Sequence, residues 1–279
     1  MTALTTTRTW TTTRIGPAPF IAVDHAGEGE LVVFMHGIGG NKRNWHDNLP
    51  AFAEHFHAVA WDARGYGESD DYEGDLIFRD FSHDLARVLD HFGAAKAHIV
   101  GLSMGGRIAM DFVETYPERV LTLSLCDTHR GFSHFSEEKK AEFIRLRKEP
   151  LVNGGEPRDI AGPVARTLVS ANASQESLDK LIDSMTRLHK ASYIKSIEST
   201  VRTDSHDKLS EIAVPTHVVC GGEDRLTTPD MAREIAAMIP GAELTIIPGA
   251  GHLANIEKPR EFDAAVIGFI ARHSGAAAA

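Results

Sequence analysis

The chain is poor in cysteine, with only Cys126 and Cys220 among 279 residues. Each cysteine ends a short apolar run, and a single bridge would add little to a core as large as this chain can bury. We therefore expect two buried thiols in a reducing compartment rather than a disulfide. No group of cysteines and histidines has the spacing of metal ligands, and no metal or organic cofactor is expected.

Long apolar runs and positive charge are also scarce. No run approaches the roughly 18 apolar residues that a membrane span needs, and residues 1–10 are rich in threonine without the apolar core of a secretory signal. Lys and Arg number 29 against 39 Asp and Glu, a net charge of -10, which argues against nucleic acid or an anionic membrane as a partner. The sequence predicts a cytoplasmic protein and leaves its oligomeric state open, a homo-oligomer included.

Short apolar runs alternate with helical periods in the first and last parts of the chain. Two β-rich stretches, 9–15 and 20–24, predict an opening hairpin. The later runs are typical of parallel strands buried on both faces; they are 31–35, 57–61, 97–100, 121–125, 214–220 and 243–247. The alternation predicts an α/β fold with a mostly parallel, doubly wound sheet.

The alternation stops between Asp127 and Ile212, where only helical periods occur. Ligands of such sheets bind at the carboxyl ends of the strands, so an inserted helical segment is expected to cover the site as a cap. This predicts core residues 1–127, a cap of residues 128–211, and core residues 212–279. The alternative is an ordinary extra layer of helices.

Residues 101–105 read GLSMG and lie between an apolar run and a helical pattern. Glycines two positions either side of Ser103 allow a tight strand-to-helix turn, a nucleophile elbow, that presents the serine at the sheet edge. The motif also occurs by chance, so its meaning depends on whether a base and an acid accompany it.

A base and an acid each follow a later strand. His252 lies on a glycine-rich loop after the last strand, and Asp224 follows the strand that ends at Cys220. We expect Asp224 to orient His252, and His252 to activate Ser103. Glu223 and Asp127 are the alternative acids.

Residues 36–40 (HGIGG) close the first parallel strand. A glycine-rich loop at this place can turn a backbone N–H toward a developing oxyanion, so the expected donors are the amides of Ile38 and Met104. A tight turn with no ligand is the other interpretation of the loop.

The order serine, aspartate, histidine, with the elbow and the glycine-rich loop, resembles the α/β-hydrolase family over nearly the whole chain. Residues 62–69 (DARGYGES) look like the family's DxRGxGxS turn, which we interpret as structural. Residues 101–106, 125–128 and 255–257 are similar to segments of 3-oxoadipate enol-lactonases. The serine at the elbow excludes the branches that use aspartate there, the haloalkane dehalogenases and epoxide hydrolases.

The resemblance implies a serine hydrolase that cleaves a small ester or lactone through an acyl-enzyme. Arg130, at the start of the cap, is a candidate for holding a substrate carboxylate, or else forms a structural ion pair. Phe132 and Phe135 are candidates for the pocket wall, or else for the core of the cap. Related alternatives are a carbon–carbon bond hydrolase of a ring-fission diketone, a cofactor-free perhydrolase, and a small-molecule receptor on the same scaffold.

Overall fold

The structure, a computed structural model, describes residues 10–203 and 207–275. The predicted start of the first strand, Thr9, lies outside the described residues, as do the two ends of the predicted core domain. Within the described ranges both cysteines are free thiols and buried, as expected of the side chains themselves.

A mostly parallel sheet forms the centre of the molecule. Its strands are β1 (Thr11–Ile15), β2 (Ile21–Ala26), β3 (Leu31–Met35), β4 (His57–Trp61), β5 (Ala97–Leu102), β6 (Val120–Cys126), β7 (Thr216–Gly221) and β8 (Glu243–Ile247). They are arranged in the order β1-β2-β4-β3-β5-β6-β7-β8. The β1-β2 and β2-β4 pairs are antiparallel and the others are parallel, so the predicted fold class is confirmed.

Helices connect and cover the strands. The α-helices are α1 (Leu49–Ala53), α2 (Asp80–His91), α3 (Met104–Thr115), α4 (Glu137–Val152), α5 (Pro157–Leu168), α6 (Gln175–Thr186), α7 (Lys190–Arg202), α8 (Pro229–Met238), α9 (Ala254–Glu257) and α10 (Pro259–Arg272). Short 3-10 helices are formed by Lys42–Trp45, Pro117–Arg119, Phe132–His134 and Leu209–Glu211. Over the described ranges, none of the helices has the length and apolar character needed to cross a bilayer.

The central strands β3, β5 and β7 are buried along their whole length. Helices pack on the sheet, with α3 against β5 and β6 and α8 against β7 and β8. Cover of this kind explains why these strands are mostly apolar along their length and do not alternate between apolar and polar residues.

The parallel direction of β3, β5, β7 and β8 brings their carboxyl ends to one edge of the sheet. The loop beginning at His36 follows β3, Ser103 follows β5, and Asp224 and His252 lie after β7 and β8. The topology therefore gathers four segments that are far apart in the chain.

Helices α4 to α7 are inserted between β6 and β7. Within this insertion α5 packs on α6 and α4 packs on α7, while α6 also contacts the 3-10 helix Lys42–Trp45 of the core. We call α4 to α7 the cap.

Candidate active site

Ser103 occupies a strained turn between β5 and α3. Its backbone has φ 55° and ψ -114°, a conformation that residues with a side chain rarely adopt. A Cβ on Gly101 would lie 2.3 Å from the carbonyl oxygen of Gly105, and one on Gly105 would lie 2.2 Å from the carbonyl oxygen of Met35. Both glycines are thus required by close backbone contacts, and the turn projects Ser103 from the sheet edge.

His252 joins Ser103 to Asp224 through hydrogen bonds at both ring nitrogens. The distance from Ser103 Oγ to His252 Nε2 is 2.9 Å, and that from His252 Nδ1 to Asp224 Oδ2 is 2.8 Å. Because a carboxylate can only accept, Nδ1 carries the hydrogen and Nε2 is free to accept from the serine hydroxyl. The backbone N–H of His252 donates to the carbonyl of Leu168 at 2.7 Å, so the cap also fixes the histidine loop.

The Asp224 carboxylate is held by its own loop. Oδ1 accepts from the N–H groups of Leu226 and Thr227 at 2.8 and 2.9 Å, and Oδ2 accepts from the Thr227 hydroxyl at 2.6 Å. Burial alone would raise the pKa of Asp224, but His252 and these donors outweigh it and lower the pKa. The carboxylate is therefore present in its charged form beside the imidazole.

The contact between Asp224 and His252 changes the pKa of the histidine in the opposite direction. Burial lowers the pKa of His252, yet the charge and hydrogen bond of Asp224 outweigh burial and raise the pKa above its ordinary value of 6.5. The arrangement thus stabilises an imidazolium, which a general base requires after it has taken a proton.

The two alternative acids have other partners. Asp127 is fully buried, and its oxygens accept from the N–H groups of Gly221 at 2.7 Å and Ala254 at 3.2 Å. Burial and the nearby charge of Asp224 raise the pKa of Asp127. The Glu223 carboxylate accepts from the N–H of Ala171 at 3.3 Å. The carboxylate bonded to His252 is that of Asp224.

Two backbone amides predicted as oxyanion donors, those of Ile38 and Met104, belong to residues that line the cavity above Ser103. The Gly37 carbonyl accepts from His36 Nδ1 at 2.8 Å and from the Gly40 N–H at 2.9 Å. Since the carbonyl and the following N–H point in opposite directions in a trans peptide, these bonds also fix the N–H of Ile38. Met104 begins α3, and the first amides of a helix have no partner within the helix.

His36 is a structural histidine. Its Nε2 accepts from the Ala63 N–H at 3.1 Å, which leaves Nδ1 as the donor to Gly37. Burial lowers the pKa of His36, so the ring stays neutral and keeps this pattern. It connects the loop after β3 to the loop after β4.

The segment interpreted as structural, residues 62–69, has the contacts of a fixed turn. Asp62 Oδ1 accepts from the Lys42 N–H at 2.7 Å, and Oδ2 accepts from the Glu68 N–H at 2.8 Å and from Lys42 Nζ at 3.1 Å. Gly67 has φ 54°, and a Cβ there would lie 2.4 Å from the Asp62 carboxylate. The turn thereby anchors the start of the 3-10 helix Lys42–Trp45, which follows the loop after β3.

A cavity of about 870 Å³ lies above Ser103 and His252, between the sheet edge and the cap. Apolar side chains form much of its wall, including Phe132, Phe135, Phe143, Leu146, Leu181 and Met185. The predicted pocket residues Phe132 and Phe135 therefore both lie on the wall. The volume suits a small organic molecule.

Arg130 does not lie on this wall. Its guanidinium forms ion pairs with Asp207 at 3.0 Å and with Glu234 at 2.9 Å. The structure thus gives this arginine the contacts of an ion pair between segments and does not bring it to the cavity of Ser103.

Several wall residues with polar side chains were not singled out from the sequence, among them Thr227, Arg147 and Tyr193. Thr227 bonds Asp224 and lies 3.1 Å from His252 Nδ1, while Arg147 and Tyr193 face the cavity from α4 and α7. Thr227 could have been noticed because it is three residues after Asp224 on the same loop. Nothing in the helical pattern distinguishes Arg147 or Tyr193 from their neighbours.

One group of three potential metal ligands occurs among the described residues, namely Asp127, Cys220 and Asp224. The carboxylate oxygens already accept hydrogen bonds, and the Cys220 thiol donates to the carbonyls of Gly221 and Thr227. Burial raises the pKa of Cys220, which disfavours the thiolate that a metal requires. The three side chains do not suit a metal ion.

Comparisons with known proteins agree with this architecture. The family model described as "alpha/beta hydrolase fold" matches residues 30–259. The chain is 30% identical over 259 residues to a 2-hydroxy-6-oxononadienedioate/2-hydroxy-6-oxononatrienedioate hydrolase of Burkholderia vietnamiensis, covering 87% of this chain and 88% of that protein.

Two solved structures are also similar. A thermophilic esterase from Thermogutta terrifontis, with malate bound, has a TM-score of 0.86 and 25% identity, with 95% of this chain and all (100%) of that chain covered. Est816, described as an N-acyl homoserine lactone degrading enzyme, has a TM-score of 0.78 and 27% identity, with 92% and 100% covered.

Some relatives are longer than this chain. It is 29% identical over 243 residues to the dihydrolipoyllysine-residue acetyltransferase component of the acetoin cleaving system of Cupriavidus necator. The matched region covers 85% of this chain but only 63% of that protein. The match of the family model nevertheless extends over most of the sequence. The chain belongs to the α/β-hydrolase family.

Proposed function

We propose that this protein hydrolyses a carboxylic ester or lactone of a small molecule through an acyl-enzyme on Ser103. The single observation that carries the proposal is the continuous hydrogen-bonded series from Ser103 Oγ through His252 to Asp224, with distances of 2.9 and 2.8 Å. A serine hydroxyl is a weak nucleophile at neutral pH unless a base of this kind takes its proton.

In the first step Ser103 Oγ attacks the carbonyl carbon while His252 Nε2 accepts the hydroxyl proton. The carbonyl oxygen becomes an oxyanion, for which the N–H groups of Ile38 and Met104 are the donors. Asp224 stabilises the imidazolium through Nδ1. His252 then gives the proton to the leaving alkoxide oxygen, and the ester bond breaks.

In the second step a water molecule attacks the acyl-enzyme. His252 takes a proton from the water, the same amides stabilise the second oxyanion, and the proton returns to Ser103 Oγ as the acid leaves. With a lactone the alcohol released in the first step stays attached to the acyl group. The chain's own residues suffice for both steps.

The names of two similar structures support this choice of bond, since one is an esterase and the other a lactone-degrading enzyme. The cavity of about 870 Å³ supports a small-molecule substrate rather than a polymer.

The test compares Ser103→Ala with Ser124→Ala on 4-nitrophenyl esters and a panel of lactones. Ser124 is a matched control because it is buried in β6 and its hydroxyl has no hydrogen-bond partner among the described residues. We expect Ser103→Ala to lower kcat by about 10⁴-fold or more and Ser124→Ala to keep most of the activity. Full activity in folded Ser103→Ala would refute the proposal.

A second candidate is hydrolysis of a carbon–carbon bond. The observation that favours it is the 30% identity to the hydrolase of a hydroxy-oxo-dienedioate. The two candidates separate by substrate: turnover of such a diketone, followed by its absorbance, with no turnover of esters or lactones would select the second one.

A further inference from the structure

The cap side of the cavity contains a cation that the reaction proposed above does not use. Arg147 is only 7% exposed and lies on α4, on the cavity wall. Its Nη1 donates to the Phe143 carbonyl at a long 3.4 Å, and its guanidinium lies 4.0 Å from the centre of the Phe143 ring. Within residues 10–203 and 207–275, Arg147 forms no ion pair with a carboxylate.

This lack of an acid contrasts with Lys42, a buried amine of the core. Lys42 is 2% exposed and is paired with Asp62 at 3.1 Å and with Glu68 at 3.0 Å. Buried cations in proteins are normally paired in this way, because removing the charge from water is costly. Arg147 is removed from water with no carboxylate of the described residues beside it to offset that cost.

Two hydroxyl groups on the same wall have no hydrogen-bond partner among the described residues. Tyr193 and Thr200 lie on α7 at positions i and i+7, so they share a face of the helix, and both line the cavity. Tyr193 is 0% exposed and Thr200 is 3% exposed, and neither Tyr193 Oη nor Thr200 Oγ1 has a hydrogen-bond partner in the described part of the chain. Since α4 packs on α7, these donors and Arg147 belong to one region of the cap.

This region is near the proposed reaction. Arg147 is close enough to both Tyr193 and His252 for its charge to affect their titration. The acidic side chains of the wall, Glu138 and Glu142, are exposed, and Glu142 is bonded to Arg145. The buried part of the cap wall is therefore rich in donors and carries a positive charge.

We propose that Arg147, Tyr193 and Thr200 form a subsite for a carboxylate of the substrate, so that the protein acts on anionic esters or lactones. The planar guanidinium matches a carboxylate with two parallel N–H donors, and the hydroxyls supply further donors. The inference rests on the proposed function, which names the bond that is cleaved. It adds that the substrate is an anion.

The test uses two esters that differ only in charge. Mono-4-nitrophenyl glutarate has a free carboxylate, and methyl 4-nitrophenyl glutarate has the same acyl chain with that group capped. The measured quantity is the ratio of kcat/KM for the charged ester to that for the capped ester. In Arg147→Met this ratio should fall by about 10- to 100-fold, mainly through KM, as for loss of a charge-assisted hydrogen bond.

Three further variants make the result specific. Arg147→Lys keeps the charge and should restore part of the ratio, and Tyr193→Phe should lower the ratio by a smaller factor, about 3- to 10-fold. Arg145→Met is the matched control, since Arg145 is an exposed arginine on the same helix. It should leave the ratio within about twofold.

An unchanged ratio in Arg147→Met, or an equal loss for both esters, would overturn the subsite while leaving ester hydrolysis intact. A binding measurement separates this outcome from failure of the proposed function. Calorimetric titration of glutarate into Ser103→Ala should give binding that is lost in Ser103→Ala/Arg147→Met. Equal binding by the two proteins would refute the subsite, even if wild type cleaves neither ester.

Discussion

The two walls of the cavity treat their polar groups differently. On the strand-end wall, Asp224 accepts from two amides and a hydroxyl in addition to His252. On the cap wall, Arg147 has one long bond to a carbonyl, and Tyr193 Oη has no partner among the described residues. The first wall is satisfied by the protein itself, whereas the donors of the second wall remain available to a ligand.

The helices behind the two walls differ in the same sense. Helix α3 is buried over its first ten residues and packs on β5 and β6. Helix α4 buries only Arg147 and Leu151, and it leaves Leu146 45% exposed and Val152 54% exposed. A change in α3 therefore disturbs the core, while a change in α4 mostly alters the cavity surface. We infer that the core determines the reaction and the cap determines the substrate.

The largest loss of activity is expected from a change on the strand-end wall, Asp224→Asn. The amide cannot accept the Nδ1 hydrogen in the same way, so the imidazole takes the wrong tautomer, and kcat should fall by about 10³- to 10⁴-fold. Steady-state kinetics on the capped ester measure this loss, and a thermal melt confirms that the variant is folded.

Asp127→Asn is the matched control for that variant. The two Asp127 oxygens accept hydrogen bonds from the backbone N–H groups of Gly221 and Ala254. In asparagine an NH₂ donor would face one of these two N–H donors. We expect a loss of stability of about 1–3 kcal/mol with a much smaller loss of kcat in the folded protein. Collapse of turnover in Asp127→Asn with normal turnover in Asp224→Asn would reverse the assignment of the acid.

The pH dependence of kcat/KM should also distinguish the two walls, with a smaller change in rate. His252 must be neutral to take the Ser103 proton, and Asp224 raises the pKa of His252 above 6.5. The kcat/KM for the capped ester should therefore rise with pH along a limb whose apparent pKa exceeds 6.5. Arginine remains charged throughout this range, so the ratio between charged and capped esters should stay constant. A ratio that follows the same limb would contradict the separation of roles.

The smallest effect is expected from Arg130→Met. The ion pairs of Arg130 involve the partly exposed side chains of Asp207 and Glu234. Such pairs contribute about 0–1 kcal/mol, and the ratio for the two esters should change by less than about twofold. If Arg130→Met lowers the ratio as strongly as Arg147→Met, the carboxylate is held by the arginine that the sequence suggested.

Much of the core could be predicted from local pattern. The bounds of β3, β4 and β8 agree with their predicted runs. For β3 and β4 the reason is near-complete burial, which leaves few polar positions to blur the ends of the strand. Other bounds moved by a residue or two: the run 121–125 became Val120–Cys126, and the run 214–220 became Thr216–Gly221. Pairing with the neighbouring strands determines where such a strand ends, and the sequence of one strand alone does not specify this pairing.

By itself the sequence determined the fold class and which residues follow the ends of the strands, among them Ser103, Asp224 and His252. Parallel strands bring their carboxyl ends together whatever the loops contain, so position along the chain was enough. Only the tertiary structure decided which basic residue of α4 is buried in the cavity wall. Helix α4 contains five basic residues, Lys139, Lys140, Arg145, Arg147 and Lys148. Packing of α4 against α7 buries Arg147, because the partner of a helix face is set by contacts distant in sequence.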